Sequence, residues 1–234
     1  MFDGTLRQGL AVQLEQSPFL SLVSEERIKQ TLRLMGQPAD AKLNPEIARE
    51  ICVRTGKTAV LDGAIAVVGT QYSLILKATN CSSGESLASA EAQVSDKSHV
   101  LDALGKAASE IRNKLGESLS TVQKFDTPLP QATTSSLEAL QIFSLAGRTA
   151  FGKGEFASGI PLFRQAIKLD PNFAMAYSAL GACYANLGED SLASENLRKA
   201  YELRDRLSAR EKLDVESNYQ VYVTGDLEKG TATL

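Results

Sequence analysis

Gly147-Arg148-Thr149-Ala150-Phe151-Gly152-Lys153-Gly154 and Gly181-Ala182-Cys183-Tyr184-Ala185-Asn186-Leu187-Gly188 decide how this chain is read, because they stand 34 residues apart. The correspondence runs on at the same spacing: Gly159 recurs as Ala193, Phe163 as Leu197 and Ala166 as Ala200. A fixed period of this length predicts a helix pair stacked end to end, since one pair cannot bury its own apolar face. Small residues at 147/181, 159/193 and 166/200 let antiparallel helices approach closely, and the large ones fill the gaps. Pro171 ends the second helix of the first unit, and Asp205 in the equivalent place predicts a longer helix in the second. Gly225-Asp226-Leu227-Glu228-Lys229-Gly230 echoes Gly154 to Gly159, but 37 residues after Gly188, so a third unit is degenerate. Its first helix is expected from about Ser208 to Val223, with the second cut off. The repeats are set at 140–173, 174–207 and 208–234.

Period and residue types resemble the tetratricopeptide repeat. That resemblance implies an all-α solenoid whose first helices line a concave groove for a protein or peptide partner. Mapped by position, the groove candidates are Gln141, Ser144, Arg148 and Phe151, then Met175, Ser178, Ala182 and Asn186. Ser144 and Ser178 stand where a Lys would be needed to clamp a C-terminal carboxylate, which argues against an adaptor for chaperone tails. The competing reading gives these residues to structural packing alone.

Upstream, Phe125 to Ser136 is rich in Pro, Thr and Ser and has no periodicity, so 125–136 is expected to be an interdomain linker. Ser135 and Glu138 offer a capping box for the helix that follows. Residues 1–124 form an α+β pattern. Leu6, Leu10 and Leu14 mark a first helix, ended at Ser17-Pro18, and Phe19–Val23 is a short apolar strand. Ser24 and Asn44-Pro45 cap two further helices, stopped at Gly36 and Gly56. Strands follow at Thr58–Val68, Tyr72–Asn80 and Glu85–Val94, with turns at Gly69-Thr70 and Ser83-Gly84. Ala88, Ala90, Ala92 and Val94 alternate with Ser89, Glu91 and Gln93, so one face of the last strand is wet. A long helix with Val100, Leu104, Ala108, Ile111 and Leu115 on one stripe closes the unit. The expected architecture is a small mixed sheet with packed helices, then the helical repeats. Both ends look cut, as in a fragment of a longer protein.

Composition removes several function classes. The 234 residues are 43% hydrophobic and 23% charged, with 25 basic and 28 acidic side chains for a net charge of −3. Neither half carries the basic excess of a nucleic-acid binder. One His and three Cys make a protein-built zinc or haem site improbable, so no metal or cofactor is expected. No apolar stretch is suited to insertion in a membrane. Gly56-Lys57-Thr58 has the tail of a phosphate-binding loop, but Ile51 replaces its required Gly, and the segment follows a helix instead of opening one. His99 has no Cys or His near it in sequence, and Glu25-Glu26 complement a helix dipole. Cys183 is a small core residue. Cys52 and Cys81 are a disulfide if the region lies outside the cytoplasm, or else two buried thiols.

The run from Phe2 to Glu117 resembles the TolB-like amino-terminal domain. The resemblance rests on Gln16-Ser17-Pro18-Phe19, the Ile47–Thr55 helix, Ala59-Val60-Leu61-Asp62-Gly63, and Ala78-Thr79-Asn80-Cys81 before Ser83-Gly84-Glu85. Such domains normally start one strand earlier. Followed by tetratricopeptide repeats, the 3–20 segment (Asp-Gly-Thr-Leu-Arg-Gln-Gly-Leu-Ala-Val-Gln-Leu-Glu-Gln-Ser-Pro-Phe-Leu) is similar to the non-catalytic C-terminal region of bacterial membrane-anchored serine/threonine protein kinases. That implies a sensor or docking role at an extracytoplasmic site. The chain itself has no His-Arg-Asp, no Asp-Phe-Gly and no Gly-rich loop, so it is expected not to be an enzyme. The alternative is a stand-alone cytoplasmic adaptor or an accessory domain of a transcriptional regulator.

Overall fold

Leu6, Leu10 and Leu14 put an apolar stripe on α1 (Gly4–Leu14), and all three are buried. The computed structural model describes residues 4–69 and 71–232, so Met1 to Asp3, Thr70 of the expected Gly69-Thr70 turn, and the last two residues lie outside it. Two helices follow, α2 (Glu25–Leu34) and α3 (Pro45–Arg54). Ser24 and Asn44 cap them by accepting the Arg27 and Ile47 amides, and Pro45 opens α3 where its missing N–H costs nothing.

Three strands then make an antiparallel meander in the order β1-β2-β3: β1 (Ala59–Val68), β2 (Gln71–Asn80) and β3 (Ser86–Val94). Leu74, Leu76, Ala78, Ala88 and Ala90 point into the core, while Ser73, Lys77, Ser89 and Glu91 face water. The sheet is purely antiparallel, which corrects the expected mixed sheet. Phe19–Val23 is not a strand. The Ser17 hydroxyl accepts the amides of Phe19 and Leu20 at 3.1 Å each, which turns the chain there, and Phe19 and Leu22 are left exposed.

α4 (Val100–Lys114) packs on β2 and β3 with one face and on α1 with the other. Val100, Leu101, Ala103, Leu104, Ala107, Ala108 and Ile111 are therefore all buried, each large one contributing about 1.5–3 kcal/mol. Beyond it come α5 (Leu119–Lys124) and α6 (Leu129–Ala132). The expected linker over 125–136 is corrected here. Leu129 and Ala132 are buried beneath α1 and α4, and Asp126 accepts hydrogen bonds from Ser109 and Gln13. Thr127 is held by Gln16, and Thr134 donates to Asp170. The segment is a strap, not a hinge.

The helical half comprises α7 (Leu137–Gly147), α8 (Phe156–Leu169), α9 (Ala174–Asn186), α10 (Asp190–Glu202), α11 (Ala209–Tyr219) and α12 (Leu227–Ala232). Wide π-helical turns extend α7 over Arg148–Gly152 and α11 over Gln220–Thr224. Asp205 does not lengthen α10, which ends at Glu202 before a separate 3-10 turn at Arg204–Arg206. Ser136, not Ser135, caps α7, because the Ser136 hydroxyl accepts the Ala139 amide. The capping box belongs to α11, between Ser208 and Glu211. One continuous core joins the two halves, running from Leu6 and Leu10 through Leu104 and Leu129 to Leu140, Phe173 and Ala176.

Candidate functional site

The groove begins with close helix approach. A Cβ on Gly159 would lie 2.6 Å from the Ala150 Cβ, and one on Gly181 would lie 2.7 Å from Leu197 Cγ. Glycine is required at both places, and the close approach packs α8 against α7 and its extension, and α10 against α9, as the antiparallel pair of each repeat. Phe143, Phe163 and Phe173 fill the space between, with ring centroids 5.6 and 4.8 Å apart from Phe143.

The eight groove candidates separate into two groups. Ser144 is buried and bonds to Gln8 Oε1 of α1 at 2.5 Å. Ser178 is buried and accepts from Asn218 Nδ2 of α11 at 3.3 Å. Gln141 is half-buried, and Met175 is half-buried against the shared core. Ser144, Ser178 and Met175 are taken up by the protein's own contacts. Arg148, Phe151 and Asn186 are exposed and Ala182 is half-buried, all toward the C-terminal ends of α7 and α9. Phe151 keeps 48% of its surface in water while its ring meets Phe156 edge-on at 5.9 Å. Asn186 donates to the Ala182 carbonyl at 2.8 Å.

α1 accounts for the Ser144 part of this division. Gly4 sits so close to Arg148 that a Cβ would lie 2.7 Å from Nη1, Gln8 meets Ser144, and Glu15 pairs with Arg210 at 3.4 Å. The N-terminal helix and the residue that follows it thus reach α7 and its extension at one end and α11 at the other. Sequence reasoning missed Gln8, Glu15, Arg210 and Asn218; only Asn218 was findable, by extending the repeat into α11.

The junction of α1 and α11 is acidic. Burial pushes the Glu211 carboxyl up to about 7, against the opposing hydrogen bonds from Ser208. Burial also raises Glu15 and Asp214, with Arg210 pulling both back. A 170 Å³ cavity lies beside it, lined by Glu15, Leu20, Ser21, Leu22, Ser24 and Arg210.

The remaining candidates fall elsewhere. Cys52 and Cys81 are joined as a disulfide with Cα atoms 6.1 Å apart. Cys183 is free and buried, and burial raises its thiol to about 11. Gly56 ends α3 with φ +68°, so Gly56-Lys57-Thr58 runs from a helix into β1. His99 sits exposed 3.0 Å from Asp96, whose carboxyl is lowered chiefly by the Ser98 hydroxyl. Among the described residues no group of His, Cys, Asp and Glu could hold a metal, and no helix is long and apolar enough to cross a membrane.

Models of the tetratricopeptide repeat match residues 140–173 and 162–193. No curated protein and no solved structure matches the chain. Residues 140–193, with their 34-residue period and closely packed helix pairs, are tetratricopeptide repeats.

Proposed function

We propose that this chain is a non-catalytic protein-recognition module that holds a peptide in the distal half of its groove, on Arg148, Phe151, Ala182 and Asn186. The observation that carries the reading is Phe151: a large aromatic side chain at the end of a repeat's first helix, 48% exposed while Phe163 and Phe173 of the same repeat are fully buried. An exposed aromatic beside a guanidinium and an amide is the composition of a peptide-binding hot spot. The proximal half, Ser144 and Ser178, serves packing.

The finer reading places this module in a bacterial membrane-anchored serine/threonine protein kinase, beyond the membrane span, as its sensor or docking region. The TolB-like resemblance of residues 2–117 supports it, and so does the Cys52–Cys81 bond, which persists in oxidising compartments.

Selection of a random peptide library on phage against the whole chain tests the recognition role. Enriched peptides should bind Phe151→Ala and Asn186→Ala about tenfold or more weakly by calorimetry, and should bind Leu192→Ala, on the second helix α10, as well as the wild type. Equal binding to all three variants refutes the groove. For the finer reading, kinase motifs followed by about 20 apolar residues upstream in the parent gene support it, and a parent without them refutes it.

A further inference from the structure

The helical hairpin of α2 and α3 is fastened to the rest of the protein at very few places. Residues 24–57 bury only Thr31, Leu32, Ile51 and Cys52, and none of these belongs to the core that joins α1, the sheet, α4 and the repeats. α3 lies against β1. The covalent tie is Cys52–Cys81, which closes a span of 29 residues between the last turns of α3 and the end of β2. Around it, Arg49 donates from Nε to the Cys81 carbonyl at 2.5 Å and from Nη2 to the Ser82 carbonyl at 2.6 Å. Lys57 reaches Ser21 at 2.9 Å, and Arg7 meets Glu25 at 3.6 Å between two exposed side chains. Exposed pairs of this kind contribute little.

We propose that Cys52–Cys81 is a redox latch: its reduction by a dithiol frees the α2–α3 hairpin from β1 while the shared core stays folded. One reductant thiolate attacks either sulfur, the S–S bond breaks, and the leaving thiolate takes a proton. The reductant's second thiol then resolves the mixed disulfide, so two protein thiols and one reductant disulfide result. Both cysteines are nearly buried, and the exposed Ser82–Ser83–Gly84 turn beside Cys81 is the side from which fraying of the last turn of α3 admits the attack. Before reduction the crosslink limits how far the hairpin can open. Afterwards it is held by Arg49 and by the packing of α3, and its release bares Leu32, Ile51 and the flank of β1. The latch is independent of the groove reading.

Hydrogen–deuterium exchange of the whole chain, before and after treatment with dithiothreitol, tests this. Amides of 25–57 should exchange about a hundredfold faster once thiol release is confirmed by mass, with 100–114 and 174–202 unchanged and reoxidation restoring protection. Cys52→Ser with Cys81→Ser should show the freed hairpin without reductant. Unchanged hairpin exchange after reduction overturns the latch, and so does loss of protection across the whole chain. So does a bond that the folded protein never yields to the dithiol.

Discussion

Replacing Arg112 by Met tests what fastens the 117–127 segment to α4 and to the end of α1. Arg112 is fully buried on α4 and makes two bonds to Glu117, Nε to Oε2 at 3.0 Å and Nη2 to Oε1 at 2.8 Å. It also reaches Asp126 at 3.4 Å, and Ser17 donates to Glu117. Arg112 thereby ties α1, α4 and the 117–127 segment into one polar network. The Arg112→Met variant keeps the volume but strands a carboxylate that is 3% exposed, and breaking a buried pair in this way costs about 3–5 kcal/mol. For a chain of this size that is a fall in Tm of about 6–20 °C. Arg112→Met with Glu117→Leu removes both charges and should lie within about 1 kcal/mol of the wild type. Urea unfolding followed by circular dichroism measures all four corners of the cycle. In the wild type the Glu117 pKa is lowered, chiefly by the Arg112 hydrogen bonds, so its contribution is present above pH 4.5 and is lost as pH falls through the folded value. In Arg112→Met the stranded carboxyl is raised instead, so acidification from pH 8 to pH 5 should recover part of the loss. A single-variant cost below about 1 kcal/mol, or a double variant as damaged as the single, refutes this account.

Glu211 titrates in the opposite sense. Its folded pKa of about 7 lies above the ordinary 4.5, so its ionisation weakens the fold as pH rises from 4.5 through 7. Glu211→Gln keeps the cap on Ser208 and should be more stable than the wild type at pH 8, by up to about 3 kcal/mol, and equal to it below pH 4.5; thermal melts across that range check the crossover. Gly181→Ala puts a methyl 2.7 Å from Leu197 Cγ and 3.2 Å from the Ala193 carbonyl. Overpacking of about 1–3 kcal/mol should outweigh the gain of roughly 1 kcal/mol in helix propensity, and a variant that melts above the wild type contradicts the close helix approach.

The repeats were legible because one period fixes many positions at once: Gly181 marks a close helix approach and Gly154 and Gly188 mark helix ends, whereas Gly147, expected to allow a close approach, has open space around it. The meander was legible for a similar reason, since alternation along Ala88 to Val94 announces a half-buried strand. Arg112 and Asp126 were not. A charged residue on a helix and an Asp in a Pro- and Thr-rich run both look solvated, and only the arrival of α1 and α4 around them makes a network. The same holds for the groove: Ser144 takes its place from the repeat, but the Gln8 that covers it is 136 residues away in sequence. Phe19–Val23 looked like a strand because its side chains are apolar, yet the Ser17 hydroxyl takes the backbone amides a strand would have needed.

The central claim is that α1 stays seated on the first repeat helix while a peptide binds beyond it. Gln8→Cys with Ser144→Cys, joined as a direct disulfide crosslink by mild oxidation, tests this directly, since the two side chains meet at 2.5 Å and the remaining free thiol, Cys183, is buried elsewhere in the repeats. The crosslink should form in high yield, and the linked protein should bind a library-selected peptide with the affinity of the unlinked one. A crosslink that does not form, or one that abolishes binding, would mean that α1 must leave the groove and would contradict the account.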